Sequence, residues 1–163
     1  MLKLFFILIL CVFTTLLYAL SSDSEKPMQI TSDASSFNYK TGVSQYDGNV
    51  EVIQGTARLN ADRVITHNND AHKISEAIAY GINKPAEYWT RLKKEDPLLH
   101  AIANTIKFYP QKSLVILEGN AKVIQGENTF IGPVAIYNMK TQTVTAPPSK
   151  TGRATVVINP DKI

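Results

Sequence analysis

The chain has 163 residues, 44% of them hydrophobic and 19% charged, with a formal net charge of +3. That length suits one domain with a buried core, and so small and mixed a charge excludes the concentrated basic stripe of a nucleic-acid module. A single Cys excludes a disulfide framework and a multi-thiolate metal site.

The first predicted element is an address. Residues 1–3 are short and positive, residues 4–17 are apolar except for Thr14 and Thr15, and small residues follow at Ala19, Ser21 and Ser22. This reads as a secretory signal over residues 1–21, cleaved after Ala19 or Ser21, which leaves residues 22–163 as one domain. Fourteen apolar residues make about 21 Å of helix, short of the roughly 30 Å hydrocarbon core, so an uncleaved anchor is the lesser alternative. After cleavage no Cys remains, which suits an oxidising compartment.

From Met28 onward the pattern has period two. Val50, Val52 and Gln54 alternate with Glu51 and Ile53, and Ile102, Asn104, Ile106 and Phe108 alternate with Ala103, Thr105 and Lys107. Turn signals such as Asn68-Asn69-Asp70, Asn83-Lys84-Pro85 and Pro147-Pro148 bound the runs. The chain therefore reads as many short strands. In residues 71–80, Ile74, Ala77 and Ile78 would also make a helical stripe, but Gly81 and Pro85 cut it short, and a strand is expected.

An internal repeat is the strongest signal. Asp47-Gly48-Asn49-Val50-Glu51-Val52-Ile53-Gln54-Gly55 recurs 71 residues later as Glu118-Gly119-Asn120-Ala121-Lys122-Val123-Ile124-Gln125-Gly126. The same offset lays Phe37 over Phe108, Val43 over Leu114, Leu59 over Phe130 and Ile65 over Ile136. Each copy reads as strands turned at Gly-Asn corners, where glycine reaches a conformation costly to other residues. Two such halves stack into one β structure, each covering a face the other leaves bare. A sheet folded over at regular corners makes a slot with apolar inner faces. The first strand, with Met28 and Ile30, and the last, with Ala154, Val156 and Ile158, carry little of the charge or proline that blunts an edge. Those edges suit addition of a neighbour's strand, and head-to-tail oligomers are expected, open-ended unless the rotation closes them.

Catalytic chemistry is not apparent. His67 and His72 bracket Asp70 around a polar turn without a third-ligand pattern, and His100 stands apart. No nucleophile elbow, zincin motif or phosphate-cradling loop occurs. The expectation is a protein that is not an enzyme and uses no metal and no cofactor. Arg91-Leu92-Lys93-Lys94 followed by Glu95-Asp96-Pro97 reads as a solvated hairpin tip; its functional alternative is contact of Arg91, Lys93 and Lys94 with an anionic headgroup.

Several segments together carry a resemblance: Pro27-Met28-Gln29-Ile30-Thr31-Ser32-Asp33, Gly48-Asn49-Val50-Glu51-Val52-Ile53-Gln54-Gly55, Asn60-Ala61-Asp62-Arg63-Val64, Gly81-Ile82-Asn83-Lys84-Pro85-Ala86 and Leu117-Glu118-Gly119-Asn120-Ala121. Through them the chain resembles the OstA-like LptA family of periplasmic lipopolysaccharide-transport proteins. The resemblance implies an all-β fold: an open, twisted β-jellyroll of many short antiparallel strands, in a Gram-negative periplasm. It also implies partners: lipopolysaccharide, whose lipid A chains ride inside the slot, an LptC-like inner-membrane protein beside the ABC transporter, and an LptD-like outer-membrane translocon. The alternatives are an anchored LptC-like subunit and an envelope scaffold that binds no lipid. One departure is Gly132-Pro133-Val134, where relatives carry Gly-Asp-Lys; a strand start or sheet edge is expected there.

Burying an acyl chain gains about 0.8 kcal/mol per CH₂. A 12-carbon chain exposed to water thus costs on the order of 10 kcal/mol. A conduit needs diffuse apolar lining without a tight polar latch. Alternation selects Met28, Ile30, Phe37, Val50, Val52, Leu59, Tyr88, Ile106, Phe108, Leu114 and Ile136 as the expected groove residues. The resemblance also places Met28, Tyr88 and Phe108 near the lipid path.

Overall fold

β-branched and aromatic residues at period two, punctuated by glycine and Asn-rich turns, produce strands almost throughout. The computed structural model describes residues 26–91, 95–141 and 143–159. The signal reading of residues 1–21, and Lys93 and Lys94 of the basic cluster, lie outside them. The described residues form β1 (Met28–Thr31), β2 (Ala34–Asn38), β3 (Val43–Gln54), β4 (Ala57–Asn68), β5 (Ile74–Tyr80), β6 (Ala86–Thr90), β7 (Leu99–Ala103), β8 (Thr105–Tyr109), β9 (Leu114–Gln125), β10 (Asn128–Asn138), β11 (Thr143–Thr145) and β12 (Thr155–Val157). The one helical turn among them is a 3-10 turn at Pro110–Lys112. None of their helices is long and apolar enough to cross a membrane. The ambiguous run after residue 71 is strand β5, as its glycine and proline boundaries indicate.

All pairings are antiparallel, and the four long strands β3, β4, β9 and β10 each serve two layers. The start of β3 pairs β2 and its end pairs β1. The end of β4 pairs β5 and its start pairs β6. β9 pairs β8 and then β7, while β10 pairs β12 and then β11. β5 meets β8 in the first layer, and β6 meets β7 in the second. The result is a sheet folded over on itself, with the core between the layers.

The repeat is register-true. The 71-residue offset carries the first residues of β1, β2, β3 and β4 onto those of β7, β8, β9 and β10. Each copy bends at its Gly-Asn corner, where Gly48 and Gly119 hold φ of 76° and 75°. The linking backbone bonds repeat as well: Asp33 N–H donates to Gly48 O (3.0 Å) and Asn104 N–H to Gly119 O (2.8 Å).

Of the two expectations at Pro133, the strand start needs correction and the sheet edge holds. Strand β10 neither starts nor ends there; it runs through, with a register shift between Gly132 and Val134. β12 pairs β10 only at residues 129–131 and β11 only at residues 136–138, so the proline faces a gap where no ladder donor is needed.

The β5–β6 crossing is tied down by one carboxylate. Asp62 Oδ2, on β4, accepts backbone N–H bonds from Ile82 (2.7 Å), Asn83 (2.5 Å) and Lys84 (3.3 Å). The Asn83 N–H, then those of Ile82 and Lys84, hold the Asp62 carboxyl below its ordinary pKa. A depressed carboxylate contributes stability above its unfolded pKa, and that stability is lost as pH falls through the lower folded value. Asp62→Ala is therefore expected to lower the melting temperature at pH 7, with the gap to wild type closing below the ordinary carboxylate range. Melting curves across pH check this; a gap independent of pH would mean the charge plays no part.

Alanine makes up half of the buried hydrophobic residues among those described: Ala61, Ala79, Ala86, Ala101, Ala103, Ala121 and Ala135, beside larger side chains such as Leu117 and Phe130. Small side chains on facing sheets let the layers approach closely, and of these alanines Ala79 also lines the site described below.

Candidate functional site

Side chains alternate faces along a strand, so the pairing register shows which residues share the inner surface. In the second layer one inner row runs Ile30, Val52, Leu59, Tyr88, Ala101, Val123, Phe130, Val156. It is aliphatic or aromatic from one open edge of the sheet to the other. The facing row in the first layer runs Phe37, Ser44, Thr66, Ala77, Phe108, Val115, Tyr137, Val144.

Between the layers lies a cavity of about 140 Å³. Seven of the expected groove residues line it: Met28, Ile30, Val52, Leu59, Tyr88, Ile106 and Phe108. Phe37 belongs to the inner face but stands beyond the cavity, 44% exposed and edge-to-face with Tyr39 at 4.5 Å. Val50 is inward too, but it fills the core and does not line the cavity. Leu114 and Ile136 are corrections. Leu114 alternates with buried Val115, and Ile136 lies between Ala135 and Tyr137, opposite Ile116 and Thr145, so both point outward. These strands carry aliphatic residues on both faces, so hydrophobicity alone did not set their phase.

Alternation also missed Val64, Thr66, Ile74, Ala77, Ala79 and Val115, all of which line the cavity. For Val64 a signal was present in the charges. Lys107 on β8 pairs with Glu118 on β9 (Nζ–Oε2 2.8 Å), and Arg63 on β4 pairs with Asp47 on β3. Ion pairs keep to the solvent face, so their sequence neighbours Ile106, Phe108, Leu117 and Val64 must face inward. The Glu118 carboxylate raises the Lys107 pKa, mainly by hydrogen bonding. On the outside of the second layer, His100 Nε2 lies 2.7 Å from Glu87 Oε2, and its ring stacks on Trp89 at 4.7 Å.

The mouth is amphipathic. Met28, 40% exposed, and Arg58, which is paired with Glu51 at 3.4 Å, both reach the cavity. Arg91 is exposed, with its Nη1 donating to Asp96 O at 3.2 Å. Among the described residues, no three of His, Cys, Asp and Glu gather as a metal site would require.

Two edges are open among the described residues. β1 and β2 pair only β3, and β11 and β12 pair only β10. The last strand is shorter than expected: β12 spans Thr155–Val157, with Ala154 and Ile158 flanking it. Val156, Val157 and Ile158 are more than half exposed.

Comparison with known proteins agrees with this architecture. The family described as LptA/(LptD N-terminal domain) LPS transport protein matches residues 29–143. The lipopolysaccharide export system protein LptH of Pseudomonas aeruginosa is 34% identical over 137 residues, 84% of this chain and 74% of that protein. The export system protein LptA of Escherichia coli K12 is 30% identical over 146 residues, 90% of this chain and 78% of that protein. The crystal structure of LptH, the LptA-homologous periplasmic component of the Pseudomonas aeruginosa lipopolysaccharide transport device, superposes with a TM-score of 0.76. That match has 31% identity and covers 85% of this chain and 99% of that one. With a doubled β-jellyroll, an apolar interior and relatives that span most of its length, this chain belongs to the LptA/(LptD N-terminal domain) family of LPS transport proteins.

Proposed function

We propose that this chain is a periplasmic bridge protein that shields the acyl chains of lipopolysaccharide and passes the lipid from an inner-membrane transporter complex to an outer-membrane translocon. The observation that carries this reading is the inner row from Ile30 to Val156, aliphatic or aromatic at every position between two open edges. Acyl chains laid along it leave water, while sugars and phosphates stay outside near Arg58 and Arg91. The work is binding and transfer, without catalysis. A lining of aliphatic and aromatic side chains holds every segment of the path about equally well, so lipid has no deep trap in which to stall.

A photoreactive side chain at Tyr88 or Phe108 is expected to crosslink to lipopolysaccharide in cells. One at Glu87 or Lys107, on the opposite face of the same strands, is not. Equal labelling at all four positions would sink the slot reading.

The open edges support head-to-tail assembly, and the internal seam supplies a template for it. Tyr88 is paired with Leu59 on one side and Ala101 on the other. Val156 has the same relation to Phe130, the repeat counterpart of Leu59, but no strand among the described residues on its far side. The counterpart of Ala101 is Ile30. Val156 of one copy thus opposes Ile30 of the next, and by the same argument Val144 opposes Phe37. In that register the inner rows of successive copies join without a break. An LptC-like protein would take the β1–β2 edge of the first copy, and an LptD-like protein the β11–β12 edge of the last, by the same strand addition.

A further inference from the structure

We propose that Tyr137 is a polar contact within the slot, its phenol donating a hydrogen bond to a hydroxyl carried near the head of a bound acyl chain. The inference rests on the lipid reading of the slot and adds a chemical preference to it. Tyr137 does not itself line the cavity, but it stands next to Val115 in the inner row of the first layer, and Val115 lines it. Its ring packs against the core, and its hydroxyl is buried with no hydrogen-bond partner. By contrast, Tyr109, on the outer face of the same layer, has Glu76 as its hydrogen-bond partner. Burial raises the Tyr137 pKa, with a smaller contribution from Asp96, so the group remains a neutral donor.

A buried hydroxyl left unpaired is costly, and phenylalanine would fill the same space without that cost. An oxygen entering with the ligand removes the penalty only when the slot is loaded. The chemistry selects acyl chains that carry a hydroxyl near the head over those that do not. The size of the effect also suits a conduit: one neutral hydrogen bond is worth about fivefold in affinity, enough to orient a chain and too little to trap it.

The test measures binding of 3-hydroxytetradecanoate and tetradecanoate to wild type and to Tyr137→Phe by calorimetry. Loss of the phenol is expected to weaken the hydroxy acid about fivefold and to leave tetradecanoate within about twofold. Equal changes for the two acids, or no change in either, would overturn the contact while leaving the slot intact. Binding of neither acid by wild type would remove the slot reading and the contact with it. Unliganded Tyr137→Phe is expected to melt at or above the wild-type temperature, because no bond is lost. A clear drop, or failure to fold, would show that the hydroxyl already has a structural partner and would also overturn the proposal.

Discussion

Gly119→Ala is expected to lower the unfolding free energy by about 3 kcal/mol, roughly twice the loss from Gly48→Ala, in urea titrations of the two variants. Both glycines sit at repeat corners with φ near +75°, where an alanine costs about 1–2 kcal/mol in backbone strain. The difference lies in what the new methyl meets. At Gly119 it would lie 2.7 Å from Asn104 Nδ2 and 3.0 Å from Asn104 Cβ. At Gly48 it would come closer still, to the Asp33 carboxylate, so the difference rests on whether the neighbour can move. Asn104 joins β7 to β8, strands hydrogen-bonded on both sides, and its carbonyl also accepts Gly81 N–H at 2.8 Å. It cannot retreat without breaking the seam between the repeats. Asp33 joins β1 to β2, held by β3 alone at a free edge, and can move outward. Equal losses at the two sites would mean that the edge is as rigid as the middle, contrary to this account.

The second large effect concerns the seam between copies. In the chain from Ser22 onward, which has no cysteine of its own, Ile30→Cys combined with Val156→Cys is expected to give a ladder of reducible multimers on mild oxidation. Ile30→Cys combined with Val157→Cys is expected to stay at background. Directly opposed residues bring their Cβ atoms to about 4.5–5.5 Å, close to disulfide reach. Val157, paired with Thr129, points to the outer face. A slip of one residue would therefore carry the second cysteine through to the wrong side of the sheet. Denaturing gels with and without reductant read the result. Equal ladders from both pairs would disprove the register, and the absence of any ladder at high protein concentration would disprove the end-to-end contact.

Much of the fold was legible because its cause is local. Period-two patterning marked the strands, Gly81 and Pro85 separated strand from helix in β5, and the repeated Gly-Asn corners identified two halves whose strands start 71 residues apart. The weakest readings came where both faces of a strand are aliphatic. Val43 and Ile65, the repeat counterparts of Leu114 and Ile136, also lie on the outer face, beside buried Ser44, Val64 and Thr66. The wrong phase was assigned only to the second half, at Leu114 and Ile136. Lys107 and Glu118 would have corrected it, but only once their cross-strand pairing was known.

The amino-acid sequence by itself determined an all-β chain, its doubling and the places where it turns, since backbone preference and side-chain alternation act over a few residues. Only the tertiary structure decided which face closes over the slot, which residues line its cavity and why the Tyr137 hydroxyl stands without a partner. Those features depend on strands brought together from distant parts of the chain: β4 with β6, β5 with β8 and β7 with β9. Local pattern sets a strand's two faces, but the strand it pairs with decides which of them is buried.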